Sequence, residues 1–136
     1  MYQKIIITGN LGRDPEMRYA PSGSPVTSFS VASGRKYTNA EGDLVEETAW
    51  FRVSAWNRLA EVCAEYLTKG AKVLVEGRLK LDPSTGGPRI WTDNDGAARA
   101  SFEVTANTVQ FLSGKPAENG EMDGEVVDAE EEAIPF

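Results

Sequence analysis

Histidine is missing from this chain of 136 residues, and with it go the usual general base and the commonest metal ligand. Hydrolytic, serine-histidine and histidine-ligated zinc chemistries are therefore disfavoured. Cysteine occurs once, at position 63, which excludes an internal disulfide framework and fits a reducing compartment. No apolar run is long enough to span a bilayer and no secretory signal segment is evident, so a soluble, cytoplasmic protein with no membrane partner is expected. Phosphate-binding glycine loops and clustered metal ligands are also lacking, so neither a cofactor nor a metal is expected and an enzyme is the least supported reading. Asp14, Asp82, Asp93 and Asp95 sit among turn residues, where aspartate is expected for its local hydrogen bonding. Asp43, Glu46 and Glu47 read as a solvated rim.

Basic residues are missing from one end of the chain. Residues 116–136 carry eight acids and no Lys or Arg, whereas residues 1–115 hold all 14 bases against 13 acids. The net charge of −7 thus comes from the tail, and the remainder, with one net positive charge, is open to a polyanionic ligand.

What is present centres on residues 48–56, T-A-W-F-R-V-S-A-W. As a β-strand this stretch sends Ala49, Phe51, Val53 and Ala55 to one face and Trp50, Arg52, Ser54 and Trp56 to the other. The first set is an ordinary core face. The second is aromatic and cationic at once, with its indoles roughly 20 Å apart at about 3.3 Å per residue. Such a face suits an unpaired nucleic-acid strand, whose bases need flat π surfaces and whose phosphates need intervening charge. Burial of both indoles against another sheet or subunit is the competing reading.

Residues 4–8, K-I-I-I-T, read as a strand buried on both faces. A bend marked by Gly9, Asn10, Gly12, Asp14 and Pro15 follows, then a turn at 21–25 and a second strand at 26–37, with a bulge expected at Gly34. A polar loop is expected over 38–46. Asn57 reads as the N-cap of a helix running to about Thr68, with Leu59, Val62, Cys63, Tyr66 and Leu67 as one buried stripe and Gly70 as its left-handed stop. Residues 71–81 read as the next strand, whose Lys72, Glu76, Arg78 and Lys80 share a face with Leu74 that is either a solvated face or the continuation of a basic track beside the central stretch. A Gly- and Pro-rich connection at 82–96 carries Arg89 and Trp91 on a loop, and a last strand at 101–112 switches parity at a bulge near Asn107. The acidic, Gly-rich tail 113–136 is expected to be disordered, ending in an apolar tip, Ile134, Pro135 and Phe136, of the kind captured with its free carboxylate by a partner.

Three strands, a helix and two more strands form the order of an OB-fold, a five-stranded Greek-key barrel: all-β with one helix. The motifs G-N-L-G-R-D-P-E-M-R-Y at 9–19, T-A-W-F-R-V at 48–53, L-A-E-V-C-A-E-Y-L-T-K-G at 59–70 and V-E-G-R-L at 75–79, with the acidic ending in I-P-F, resemble the bacterial-type single-stranded DNA-binding proteins. The resemblance implies an OB-fold DNA-binding domain over residues 1–112 and a tail with an interaction tip over 113–136. It also implies base stacking on Tyr37, Trp50, Trp56 and Trp91 and a DNA-facing role for Arg52. The partners it implies are single-stranded DNA, further copies of the chain in a homotetramer, and replication, recombination and repair enzymes bound through the tip, in a nucleoid-associated setting. Arg35, Lys36, Arg52, Arg58, Lys72, Arg78, Lys80, Arg89 and Arg99 are the candidate phosphate ligands. Residues 82–88 read as an insertion relative to the family pattern. An OB-fold adaptor of a replisome or primosome, using the same aromatics against a protein, is the alternative function.

Overall fold

A computed structural model describes residues 1–113 and the backbone of residues 126–128. The elements run β1 (Ile5–Leu11), β2 (Glu16–Tyr19), β3 (Pro25–Thr38), β4 (Leu44–Trp56), α1 (Arg58–Tyr66), β5 (Lys72–Leu79), β6 (Ile90–Thr92), β7 (Ala98–Ala100), β8 (Phe102–Phe111) and β9 (Val126–Asp128). Strands β1, β5, β8, β4 and β3 pair in that order, and Asn10 and Leu11 of β1 then meet Ala32 and Val31 of β3, which closes the ring. The β4–β8 pairing is parallel and the other pairings of the wall are antiparallel. This is the expected OB-fold barrel, with the helix between its third and fourth wall strands. Closure demands a close approach at Gly9, where a Cβ would run into the Ala32 carbonyl oxygen.

Period-2 alternation fills the interior with Leu11, Phe29, Val31, Val53, Val73, Val75, Val104, Val109 and Phe111. Helix α1 adds Leu59, Val62 and Cys63 to the same core, and the buried Thr27 hydroxyl donates to the Ala60 carbonyl at 2.6 Å, tying β3 to the helix. The bulge expected near Asn107 is present. Glu76 pairs with Thr108 and Gly77 with Ala106, so residue 107 is skipped and Val109 and Phe111 return to the interior.

Several local expectations are corrected. The isoleucine run is buried on one face only: Ile7 enters the core while Ile6 is exposed, because a barrel strand has one inner and one outer side. Gly34 makes no bulge, since β3 and β4 pair without a break from Val26 and Trp56 to Thr38 and Leu44. That pairing shortens the loop to residues 39–43, where the Asn39 side chain accepts the Glu41 and Asp43 N–H groups. Strand β2 is exposed throughout and lacks alternation, so no sequence pattern marks it. Asn57 precedes the helix but does not cap it through its side chain; it takes φ 58°, one of the residue types that tolerates this, to reverse the chain from β4 into α1. The helix stops at Tyr66 because Leu67 is extended, and Gly70, with φ +87°, serves the turn that follows.

No helix among the described residues is long and apolar enough to cross a membrane. The expected disorder of the tail and the tip Ile134, Pro135 and Phe136 fall on 114–125 and 129–136, outside the described residues. The part that is described, β9, pairs antiparallel with Thr108, Val109 and Gln110 of β8.

Burial pushes the Cys63 thiol up to about 12. The thiolate is the reactive form, so the folded protein should stay unlabelled by a disulfide reagent at pH 8 and take up one equivalent on unfolding in denaturant. Rapid stoichiometric labelling of the native protein would contradict this packing.

Candidate nucleic-acid interface

The β3–β4 ribbon builds the site from alternation and from the small residues opposite the large ones. Across from Trp50, Arg52 and Ser54 on β4 stand Ala32, Ser30 and Ser28 of β3, and Trp56 faces Val26. Short neighbours leave the indoles uncovered, and Trp50 and Trp56 are 54% and 38% exposed. Within the chain, neither indole is buried against another sheet, the first form of the competing reading.

Trp50 is supported from beneath. A Cβ on Gly12 would lie 2.6 Å from its Cζ3 and 2.9 Å from its Cη2, so the indole rests directly on the backbone that leaves β1. Gly12 has no positive φ; the glycine is required by space rather than by conformation. Its N–H donates to the Ser30 carbonyl at 3.1 Å, which holds the connection against β3.

The same outward wall continues past β4. Ser28, Ser54 and Thr105 stand side by side on β3, β4 and β8, and Arg78 of β5 pairs with Thr105, so Arg78 joins the face of Arg52 across the intervening strand. Lys80 lies at the same end, its N–H donating to the Glu103 carbonyl. Lys72 does not join them: it pairs with Asn10 at the other end of β5, roughly 20 Å away at about 3.3 Å per residue.

Trp91 stands on β6, one strand of a two-stranded hairpin with β7, rather than on an irregular loop; it is 40% exposed and pairs across with Arg99. Asp93 fixes that hairpin. Its carboxylate accepts from Arg99 Nε at 2.8 Å and from the Ala97 and Asp95 N–H groups at 2.9 Å, and the Arg99 contact above all holds its carboxyl below the usual range. At the hairpin root, Arg89 reaches the largely buried Glu103 with Nε at 3.4 Å and Nη2 at 3.3 Å.

Tyr37 is 36% exposed near the ribbon tip, and alternation puts it on the ribbon face opposite that of Trp50. The Arg35 guanidinium lies 4.6 Å from the Tyr37 ring centroid, and Glu47 accepts from both Arg35 Nε at 3.0 Å and the Tyr37 hydroxyl at 3.2 Å. Lys36 pairs with Glu46 at 3.3 Å and Arg58 with Glu61 at 4.0 Å. Two of the three acids read as a rim, Glu46 and Glu47, are therefore partners of candidate phosphate ligands. Among the described residues, Arg52, Lys72, Arg78 and Lys80 have no carboxylate within ion-pair distance.

Two residues escape sequence reasoning. Gly12 and Arg13 lie in a stretch that reads as a bend and as part of a family motif with no role for either residue, yet Gly12 carries Trp50 and Arg13 lines a cleft with Arg52, Ser28 and Ser30. No periodicity marks a contact between elements so far apart in sequence.

Residues 2–112 match the model of the Single-strand binding protein family. The chain is 40% identical over 125 residues to a single-stranded DNA-binding protein of Wolinella succinogenes, covering 92% of this chain and 73% of that one. It is 43% identical over 117 residues to one of Helicobacter hepaticus, covering 86% and 65% of the two chains, so it spans about two thirds of that relative's length. Among solved structures, a small single-stranded DNA-binding protein from Streptomyces coelicolor superposes with a TM-score of 0.66 at 27% identity, covering 82% of this chain and 95% of that one. A Plasmodium falciparum SSB in complex with single-stranded DNA gives 0.64 at 24% identity over 78% and 87%, a likeness of fold.

The seat of Trp50 is open to test. With Trp56 and Trp91 replaced by Phe, Gly12→Ala should lift the remaining indole off the backbone, red-shift its emission and raise its quenching by acrylamide while the barrel still folds. Unchanged quenching would show that residue 12 does not hold the ring.

Proposed function

The chain belongs to the single-strand binding protein family, and from that premise we propose that it binds single-stranded DNA without regard to sequence. The observation that carries this reading is the pair of solvent-exposed indoles on the outer wall of β4 with Arg52 between them. Bases stack on Trp50 and Trp56, and on Trp91 where the strand passes the β6–β7 hairpin; each stack contributes about 1–3 kcal/mol and is indifferent to base identity because every base has a π face. Arg52, Arg78 and Lys80 meet phosphates directly. Arg35, Lys36, Arg58, Arg89 and Arg99 do so in exchange for their carboxylates, and Lys72 serves a strand that continues around the barrel. Tyr37 extends the stacking path where the strand crosses the ribbon tip to the face opposite Trp50, offering the ring face that Arg35 leaves open.

Coating and protecting DNA during replication, recombination and repair follows from such sequence-tolerant binding. We further propose assembly as a homotetramer, supported by the exposed Ile6, Leu79, Ile90 and Phe102 and by the outer edge of β1, which β3 pairs only at Asn10 and Leu11. The tip Ile134, Pro135 and Phe136 recruits partner enzymes: apolar side chains that follow an acidic stretch suit a basic, apolar pocket.

In titrations with oligo-dT, Trp50→Ala and Trp56→Ala should each weaken binding by about 1–3 kcal/mol. Undiminished affinity in both would take these residues off the DNA path. For the tip, deletion of Phe136 should abolish capture of purified replication and repair enzymes while oligo-dT binding persists. Recovery of the same enzymes by the truncated protein would refute tip docking.

A further inference from the structure

We propose that Arg13 and Arg52 form a seat for one phosphodiester group, placed between the bases carried by Trp50 and Trp56 and completed by the hydroxyls of Ser28 and Ser30. The proposal deepens the DNA-binding reading and rests on it. Its first support is position. Arg52 lies two residues from Trp50 and four from Trp56 on one face of β4, and Gly12, which the Trp50 ring touches, delivers the neighbouring Arg13 to the same cleft.

The second support is charge. Arg35, Arg89 and Arg99 spend their guanidinium groups on Glu47, Glu103 and Asp93, and Lys36 spends its ammonium on Glu46. A phosphate approaching any of these meets a carboxylate as well, so little net charge is gained. Arg13 and Arg52 have no carboxylate at ion-pair distance among the described residues. Two acids also line the cleft, and neither is within ion-pair distance of Arg13 or Arg52: Asp14, which accepts the Lys69 N–H at 2.8 Å and keeps its charge, and Glu16, which lies 3.6 Å from Arg18.

The third support is chemistry. Each guanidinium presents a planar fork of donors that matches two oxygens of a phosphate, and serine hydroxyls are ordinary phosphate ligands. Two forks from different elements with two hydroxyls between them fit a tetrahedral anion in a way that a lone lysine does not.

Oligo-dT titrations of the full chain across a salt series, read by tryptophan fluorescence, test the seat against the paired cations. Arg13→Gln should lower the magnitude of the log-affinity against log-salt slope by about 0.7, the share of one phosphate on a single strand, and weaken binding about tenfold at low salt through loss of a charge-assisted contact. Arg35→Gln, whose charge Glu47 already offsets, should change both by clearly less. Thermal melting verifies that each variant is folded. An Arg13→Gln protein with the wild-type slope and affinity would overturn the seat, as would an equal or larger slope change in Arg35→Gln. Either result, obtained while the wild type binds, leaves the DNA-binding reading standing; a wild type that fails to bind oligo-dT would remove both.

Discussion

Alternation along β4 couples the inside of this barrel to its outside. Val53 and Ala55 are fully buried, and Phe51 packs against the core, so the residues between them have no route inward. Trp50, Arg52, Ser54 and Trp56 are held in solvent by the same packing energy that fills the interior. A one-residue slip of β4 would bury the indoles and arginine and expose the valine and phenylalanine at once, so the register that makes the core also makes the candidate interface. Closure of β1 onto β3 through Gly9 fixes the ribbon that carries this face, and the chain leaving β1 supports Trp50 through Gly12.

Electrostatics adds a second layer of order. Most of the cations at the ribbon tip and on the β6–β7 hairpin are matched to carboxylates in the free protein, which limits repulsion among like charges and holds the hairpin and the ribbon in shape. Exposed pairs of this kind contribute modestly to stability, roughly 0–1 kcal/mol each. Their larger effect is on a polyanion, because a matched cation attracts phosphate less than an unmatched one. The central wall, where Arg52 and Arg78 stand without such partners among the described residues, therefore offers a negatively charged strand its least compensated positive charge.

Much of this was legible in the chain. The period of residues 48–56 separates core from surface, the helical stripe is buried at Leu59, Val62, Cys63 and Leu67 though not at Tyr66, which is exposed, and the parity change between Ala106 and Val109 marks the bulge at Asn107. What was not legible depends on pairing between distant elements. Strand β2 has no apolar alternation because both its faces are exposed, and it exists by hydrogen bonding to β3. Asn57 looks like a cap by residue type, but the path from β4 into α1 requires a positive φ there. The ordering of the Trp91 loop into a hairpin comes from Asp93 gripping Arg99 and from Arg89 reaching Glu103, and the support of Trp50 by Gly12 joins residues 38 positions apart.

Under the proposed function, the exposed indoles of Trp50 and Trp56 are the surfaces on which unpaired bases stack. Titrating the intact wild-type protein with oligo-dT, and in parallel with a duplex of equal length, while following intrinsic tryptophan emission tests this most directly. Stacking predicts strong, saturable quenching by the single strand and little response to the duplex, whose bases are already stacked on one another. Emission that is unmoved by oligo-dT, or that falls equally with both, would contradict it.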